Sequence, residues 1–195
     1  MAKNKINSSN QLRIIAGKWR GRKLTFPDAE GLRPTPDRVR ETIFNWLQPH
    51  LGFSNCLDLF AGSGALGFEA ASRGAQLSVL VEQNSQASKQ LLANCDLLKS
   101  DQCRVVSSSA QQFLANNNQR FDIVFIDPPY QANLWTEIAT KLGQAGTLAE
   151  NAIIYLECPS KGDLPDLPSH WTIFKDKKAG EVRYCLFSNQ KGDAS

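Results

Sequence analysis

The chain has 195 residues, of which 42% are hydrophobic, and a formal net charge of +3. This length and apolar content suit one domain with a single buried core, and no apolar run near ~18 residues or charged leader favours membrane insertion or secretion. The five cysteines, an odd number without C-x-x-C spacing, indicate reduced thiols in a cytoplasmic protein.

The first 50 residues are a basic segment with ten Lys and Arg against four Asp and Glu, whereas the remainder has twelve against fifteen. The alternating apolar residues Leu12, Ile14, Leu24 and Phe26 predict an ordered β-hairpin here instead of a solvated basic tail. Such a hairpin can follow a phosphate backbone, with an aromatic ring available to stack on a base. The residues expected to make these contacts are Lys18, Trp19, Arg20, Arg22, Lys23, Arg33, Arg38 and Arg40.

A helix is predicted directly after the hairpin. Thr35 can cap its amino end, with Pro36 at the first helical position. Its apolar face consists of Val39, Ile43, Trp46 and Leu47. Arg38 and Arg40 are then expected to stay free to face a substrate or a cofactor.

Residues 56–71 have the pattern of a short apolar strand, a glycine-rich turn and the start of a helix. Gly62, Gly64 and Gly67 fit G-x-G-x-x-G, in which glycines permit positive φ, close approach of backbone N–H groups to a ligand and tight helix packing. About 20 residues further on, Glu82 ends a second apolar strand, where a carboxylate can accept both hydroxyls of a ribose. The pattern predicts an adenosine-bearing cofactor, either a nicotinamide dinucleotide or S-adenosylmethionine.

Asp58, just before the glycine turn, helps to separate these two cofactors. Its carboxylate would face the turn, where it is poorly placed for a pyrophosphate but suits a cationic amino group. S-adenosylmethionine carries one ammonium group and no phosphate. The alternative is that Asp58 only accepts hydrogen bonds from backbone N–H groups of the turn.

Strands and helices continue to alternate after Glu82, as a parallel sheet requires. Asn84 or Ser85 can cap a helix, whose expected apolar residues are Leu91, Leu92, Cys95 and Leu98. The further strands are predicted at 104–106, 121–126 and 152–156, with a helix near 134–142. The last two strands, 171–175 and 181–187, are close in sequence and suit an antiparallel hairpin.

The strand at 121–126 ends in Asp127, Pro128, Pro129 and Tyr130. Both prolines have φ locked near −65° and neither donates a backbone hydrogen bond, so the turn is rigid. The Asp127 carboxylate and the Pro128 carbonyl can accept the two N–H bonds of an amino group while the attached ring stacks on Tyr130. An Asp-Pro-Pro turn is also an ordinary strand ending, but beside the glycine turn it favours methyl transfer to an exocyclic amine.

Residues 58–67, Glu82 and residues 127–130 resemble the motifs of class I S-adenosylmethionine-dependent amino-methyltransferases. Residues 31–47, preceded by 13–24, resemble the RsmD family of bacterial small-subunit ribosomal RNA guanine-N2 methyltransferases. The likeness covers nearly the whole chain. The glycine turn and the Asp-Pro-Pro-Tyr turn are shared by many methyltransferases, whereas the N-terminal stretch is far more specific to this family.

The resemblance implies an α/β, Rossmann-like class I methyltransferase fold. Its seven-stranded sheet is mostly parallel with one antiparallel strand, and a basic hairpin and helix extend it at the N-terminus. The expected division is a basic RNA-binding extension at 1–50 and a methyltransferase domain at 51–190, together forming one compact domain. With only two histidines, neither near a cysteine or carboxylate cluster, no metal is expected.

The resemblance also implies the site and the substrate. The catalytic residues would be Asp127, Pro128 and Tyr130, and the cofactor would be held by Asp58, Phe60, Gly62, Ser63, Gly64, Gly67, Glu82, Ser109 and Ala110. Many relatives have an acid or an amide where Ser109 stands, which leaves the contact to the adenine amino group open. The target would be the exocyclic N2 of one specific guanine of 16S RNA, in an assembled or partly assembled small ribosomal subunit.

Other functions use similar residues. The same binding site for an amino group would serve adenine-N6 and cytosine-N4 methyltransferases of nucleic acids and glutamine-N5 methyltransferases of proteins. The latter two groups usually have Asn or Ser in place of Asp127. A noncatalytic RNA-binding protein with a vestigial cofactor fold is the alternative from a different class. Neither kind of alternative accounts for the likeness over residues 31–47.

Overall fold

Strands and helices alternate in the computed structural model, which describes residues 10–28 and 35–190. The strands are β1 (Gln11–Arg13), β2 (Lys23–Thr25), β3 (Asn55–Asp58), β4 (Leu77–Glu82), β5 (Cys103–Ser107), β6 (Phe121–Ile126), β7 (Leu148–Pro159), β8 (Trp171–Ala179) and β9 (Val182–Asn189). The α-helices are α1 (Asp37–Leu51), α2 (Ala65–Ser72), α3 (Ser85–Leu98), α4 (Ala110–Asn116) and α5 (Trp135–Gln144). Within these ranges, no helix has both the length and the apolar composition needed to cross a membrane.

Seven strands form the main sheet, in the order β5-β4-β3-β6-β7-β9-β8. The neighbours from β5 to β7 are parallel, whereas β9 is antiparallel to both β7 and β8. The predicted mostly parallel sheet with one reversed strand and a terminal hairpin is therefore confirmed. Strand β6 is apolar except at Asp122, and three of the four residues of β3 are buried, because core clusters cover both faces of the sheet.

The strand order reverses between β3 and β6. From β3 the chain continues outward through β4 and β5, then returns to the other side of β3 as β6 and continues to β7. In open α/β sheets, ligands bind beyond the carboxyl ends of the strands at such a reversal. Asp58 ends β3 and Asp127 follows β6, so the two carboxylates predicted for the site flank this position.

The N-terminal segment packs against the sheet domain as part of the same core. Strands β1 and β2 pair antiparallel with Leu12 opposite Leu24. Both residues belong to a core cluster that also contains Phe68 of α2 and Leu91 of α3. Helix α1 extends past the boundary expected between residues 50 and 51 and packs against β3, β6, β7 and β9. The division of the chain at this boundary stays a prediction.

Two local predictions about helices are wrong. Helix α1 is capped at Pro36 without a side-chain hydrogen bond, because Thr35 is buried and its carbonyl accepts a hydrogen bond from Arg40 Nε at 3.2 Å. Leu92 is 51% exposed, because the buried face of α3 includes Leu91 one position earlier. The Asn84 cap is confirmed, since its Oδ1 accepts the backbone N–H groups of residues 86 and 87, each at 3.0 Å.

Candidate active site

The glycine turn joins β3 to α2 in the way that its sequence predicts. Gly64 has a φ of +81°, and a Cβ at this position would lie 2.4 Å from the ring of Phe68. A Cβ on Gly67 would lie 2.8 Å from Leu80 Cγ, so α2 packs closer to β4 than any larger residue permits. The backbone of the turn is consequently held at the carboxyl end of β3.

Two carboxylates accept hydrogen bonds from backbone N–H groups of the glycine turn. Asp58 Oδ2 accepts the N–H of Gly67 at 3.1 Å, and Glu82 Oε2 accepts the N–H of Gly62 at 2.8 Å. The other Glu82 oxygen accepts the N–H of Asn84 at 2.7 Å. Backbone capping, the alternative role considered for Asp58, is therefore present, but it occupies only one of the two Asp58 oxygens.

The second oxygen of Asp58 is the most unusual atom of the site. Asp58 is 2% exposed, and within residues 10–28 and 35–190 its Oδ1 is buried without a hydrogen-bond partner. Burial raises the pKa of Asp58 to about 7; hydrogen bonds from the backbone of Gly67 and Phe60 oppose the rise, and the charge of Glu82 adds to it. A buried, unpartnered carboxylate oxygen is unfavourable unless a donor or a positive charge completes its surroundings. A ligand with a cationic N–H group fits this position.

The remaining cofactor residues of the prediction line the same edge. Phe60 and Gly62 are half-buried, and Ser63 is buried within the turn. Beyond β5, Ser109 Oγ caps α4 by accepting the N–H of Gln112 at 3.2 Å, and Ala110 begins that helix. A contact between these residues and an adenine ring stays a prediction.

The turn after β6 presents one acidic and one aromatic group. Asp127 is half-buried, Pro128 is buried, and Tyr130 is 39% exposed at the start of a short 3-10 helix. The Tyr130 ring packs on Trp135, with 5.7 Å between ring centroids. The Tyr130 ring is therefore partly accessible to a ligand and packs against Trp135.

Three carboxylates, Asp58, Asp127 and Glu157, lie at or near the carboxyl ends of three adjacent strands. Burial raises the pKa of Asp127 well above its ordinary value, and the charges of Glu157 and Asp58 raise it further. Ile126 and Leu156 are the last registered pair of β6 and β7, so Asp127 and Glu157 follow it side by side. The sequence prediction missed Glu157, although it stands where the apolar run of β7 ends, which is the signal used for Asp58 and Asp127.

The predicted RNA contacts divide into exposed and buried residues. Lys18, Arg20, Arg22, Lys23 and Arg38 are exposed. Arg33 lies outside the described residues. Lys18 Nζ lies 5.4 Å from the centroid of the Trp19 ring.

The predictions for Trp19 and Arg40 are wrong. Trp19 is 6% exposed because its ring packs into the core cluster beneath the hairpin, so it is not available to stack on a base. Arg40 is 1% exposed, and its Nη2 donates to Arg13 O at 2.9 Å and to Asp37 Oδ1 at 2.6 Å. Both side chains hold the basic segment in place instead of contacting a substrate.

A fully buried carboxylate on α2, which the prediction missed, anchors the hairpin. The two oxygens of Glu69 accept the N–H groups of Ile15 and Ala16, at 2.8 and 3.0 Å. Arg73 Nε pairs with Glu69 at 2.7 Å, and Arg40 Nη1 lies 3.6 Å from it. The sequence signal for this buried role was that Glu69 is the one charged residue in the otherwise uncharged helix α2. The exposed cations are thereby fixed to the helix that follows the glycine turn.

The chain is similar to known proteins over almost its whole length. The family model described as "Conserved hypothetical protein 95" matches residues 12–188. The ribosomal RNA small subunit methyltransferase D of Escherichia coli K12 is 47% identical over 190 residues, covering 97% of this chain and 96% of the relative. The protein of the same name from Haemophilus influenzae is 46% identical, covering 94% and 96% of the two chains.

A solved structure agrees with these sequence relatives. The structure of yhhF from Escherichia coli has a TM-score of 0.87 to this chain at 46% identity, covering 92% of this chain and 98% of its own. Both the sequence and the fold are thus shared from the basic hairpin to the last strand. The chain belongs to the ribosomal RNA small subunit methyltransferase D family.

Proposed function

We propose that this protein transfers a methyl group from S-adenosylmethionine to the exocyclic N2 atom of one guanine of 16S RNA, within the small ribosomal subunit. The observation that carries the proposal is the pair of acids at the strand reversal. Asp58 has an oxygen without a partner among the described residues, and Asp127 directly follows the neighbouring strand β6, three residues before the exposed Tyr130. One acid suits a cationic cofactor, and the other suits an amine.

The residues that would hold the cofactor are on three strand ends. The Asp58 carboxylate would receive the ammonium group, the turn from Gly62 to Gly67 would pass beneath the ligand, and Glu82 would accept the ribose hydroxyls. Ser109 and Ala110, at the start of α4 after β5, would contact the adenine ring. When bound, S-adenosylmethionine supplies an electrophilic methyl group on a positively charged sulfur.

Asp127 and the Pro128 carbonyl would each accept one N–H of the guanine amino group. The N2 lone pair is delocalised into the ring, so the nitrogen is a poor nucleophile until it pyramidalises. Two fixed acceptors hold the nitrogen in one orientation, and they bind it more strongly as positive charge develops on it. Orientation of this kind accounts for up to ~7–11 kcal/mol of barrier reduction in favourable systems.

Tyr130 would stack on the extruded guanine. A base inside a helix has to leave its stack before its amino group reaches Asp127, and this costs a few kcal/mol. Stacking on an aromatic side chain returns ~1–3 kcal/mol per base. The Trp135 ring behind Tyr130 keeps that platform in place.

The substrate class is tested by offering methyl-labelled S-adenosylmethionine with three acceptors in parallel: unmodified small ribosomal subunits, free 16S RNA and DNA. The proposal expects label in the ribosomal RNA, with the subunit preferred over the free RNA. The shape of the particle would contribute to recognition. Label confined to DNA or to protein would contradict the proposal.

Cofactor affinity should depend on pH through Asp58. In the free protein this carboxyl has a pKa of about 7, and an adjacent ammonium group favours its ionised form. As the pH falls below 7, binding has to displace a proton, so affinity for S-adenosylmethionine should weaken by up to about tenfold per pH unit. Calorimetry from pH 5.5 to 8 measures this.

Two variants control the measurement. Asp58→Asn should bind weakly and lose most of the pH dependence, whereas Glu150→Gln, an exposed acid on β7, should behave like the wild type. A wild-type affinity that stays constant from pH 5.5 to 8 would refute the role of Asp58.

The exposed cations of the hairpin should set the salt dependence of RNA binding. Replacing Arg20, Arg22 and Lys23 with Ala should weaken binding and reduce the slope of log K against log salt by about 0.7 for each phosphate that is no longer neutralised. Filter binding between 50 and 200 mM salt, roughly the range in which such charges matter, measures the slope. The charge-matched control replaces Arg104, Arg120 and Lys141, which lie outside the hairpin. Equal slopes in the two triple variants would place the RNA surface elsewhere.

A further inference from the structure

Glu157 is a buried acid close to the proposed active site, and none of the roles proposed above involves it. It is 6% exposed near the carboxyl end of β7. Its carboxylate accepts a hydrogen bond from the Tyr155 hydroxyl at 2.7 Å, and its backbone carbonyl accepts one from Trp135 Nε1 at 2.7 Å. The side chain and the backbone are therefore both held in one place.

The sheet register places Glu157 beside Asp127. Phe125 pairs with Tyr155 and Ile126 pairs with Leu156 on the parallel strands β6 and β7. Side chains alternate between the faces of a sheet, so Glu157 lies on the face of Tyr155, and Asp127 directly follows Ile126, the partner of Leu156, on the neighbouring strand. The Tyr155 hydroxyl, which bonds Glu157, lies on that face as well.

The proposed reaction releases a proton, and the acid beside Asp127 can affect where that proton goes. The N2 lone pair forms the new N–C bond while the C–S bond breaks and leaves its electron pair on sulfur. The nitrogen then carries a positive charge, which is removed when one N–H bond breaks and returns its electrons to nitrogen. The released proton has to pass to an acceptor in contact with that hydrogen, and Asp127 is the carboxylate at that position.

We propose that Glu157 is a positioning residue for this step: its negative charge makes the Asp127 carboxylate a stronger acceptor for the proton that the amine loses. The inference rests on the proposed function of the site. General bases work best when their proton affinity is matched to the pH at which the enzyme operates, and an isolated aspartate is a weak base at neutral pH. A second carboxylate on the next strand strengthens it.

The surrounding groups agree with this direction. The charge of Glu157 raises the pKa of Asp127, and Asp58 acts in the same sense. Burial raises the pKa of Glu157, and hydrogen bonds from Tyr155 and Tyr130 to its carboxylate offset part of that rise. The other titratable or charged neighbours on β7 and β9 are Cys158, Arg183 and Tyr184.

The test compares the pH dependence of kcat in the wild type, Glu157→Gln and Glu157→Asp. The Gln variant removes the charge, so the pKa of Asp127 should fall and the acid limb of the profile should move to lower pH. The plateau of kcat should fall about tenfold because the base is weaker, with KM for RNA and cofactor changed less than about twofold. The Asp variant keeps a carboxylate and should return the limb toward the wild-type position.

Two outcomes would overturn the inference. One is an acid limb that stays in place in Glu157→Gln; the other is an equal loss of kcat in both variants without a shift, which would indicate a merely structural role. The comparison is a ratio between variants, so it holds for whichever nucleoside the enzyme labels. NMR of 13C-labelled aspartate, with Asp127→Asn for assignment, follows the same titration without turnover. If the pKa of Asp127 is lower in Glu157→Gln than in the wild type but the enzyme does not modify guanine, the inference is supported and the proposed function is refuted.

Discussion

Replacing Asp127 with Ala should reduce methyl transfer by at least about 10²–10³-fold, while binding of S-adenosylmethionine remains nearly unchanged. The variant removes the acceptor that holds one amine hydrogen and takes up the released proton, so the loss should appear in kcat. Cofactor binding survives because Asp58, the glycine turn and Glu82 hold one another through hydrogen bonds that do not involve Asp127. Single-turnover transfer to small subunits and calorimetry with the cofactor measure the two quantities separately.

Asp163 offers a matched control because it is an exposed aspartate outside the site. Asp163→Ala should transfer methyl groups at the wild-type rate. The folded state of Asp127→Ala should be at least as stable as that of the wild type, since the substitution removes an acid whose pKa is raised by burial. An Asp127→Ala enzyme that retains most of its activity would refute the assigned role.

Glu69→Ala should lower the free energy of unfolding by about 3–5 kcal/mol. The variant leaves Arg40 and Arg73 without their buried acid and removes the acceptor of two backbone N–H groups in the hairpin. Domains of this kind are stable by only about 5–15 kcal/mol, so the loss is a large part of the total. Urea unfolding followed by circular dichroism measures it.

The hairpin should respond more strongly than the rest of the fold. In Glu69→Ala, hydrogen exchange of the amides of Ile15 and Ala16 should accelerate well before that of the β6 amides, because only the former lose their acceptor. Glu41→Ala, at an exposed position on α1, should change stability by less than about 0.5 kcal/mol. A Glu69→Ala protein as stable as the Glu41→Ala protein would contradict the anchoring role.

The features that followed from sequence are those that local chemistry determines. Apolar runs that end in an acid predicted β3, β4 and β6 and the acids Asp58, Glu82 and Asp127 at one edge of the sheet. Glycine spacing predicted the turn, because only a residue without a Cβ adopts the φ of Gly64 or permits the close packing at Gly67. The order of strands and helices then determined a mostly parallel sheet.

The features that escaped prediction depend on contacts between distant residues. Arg40 and Arg38 are neighbours on a short basic stretch, and nothing local distinguishes the cation that pairs with buried Glu69 from the one that stays exposed. Trp19 likewise looks like a stacking ring until the packing of the hairpin on α2 and α3 is known. The position of Glu157 beside Asp127 follows only from the pairing register of β6 and β7, which the sequence does not show.

The most direct measurement is the identity of the nucleoside that the enzyme labels. Small subunits labelled from S-adenosylmethionine are digested to nucleosides and analysed by mass spectrometry. Recovery of N2-methylguanosine as the labelled product is expected, at a single site of 16S RNA. Recovery of the label in N6-methyladenosine, N4-methylcytidine or protein would contradict the account, because the acids at the ends of β3 and β6 would then serve a different acceptor.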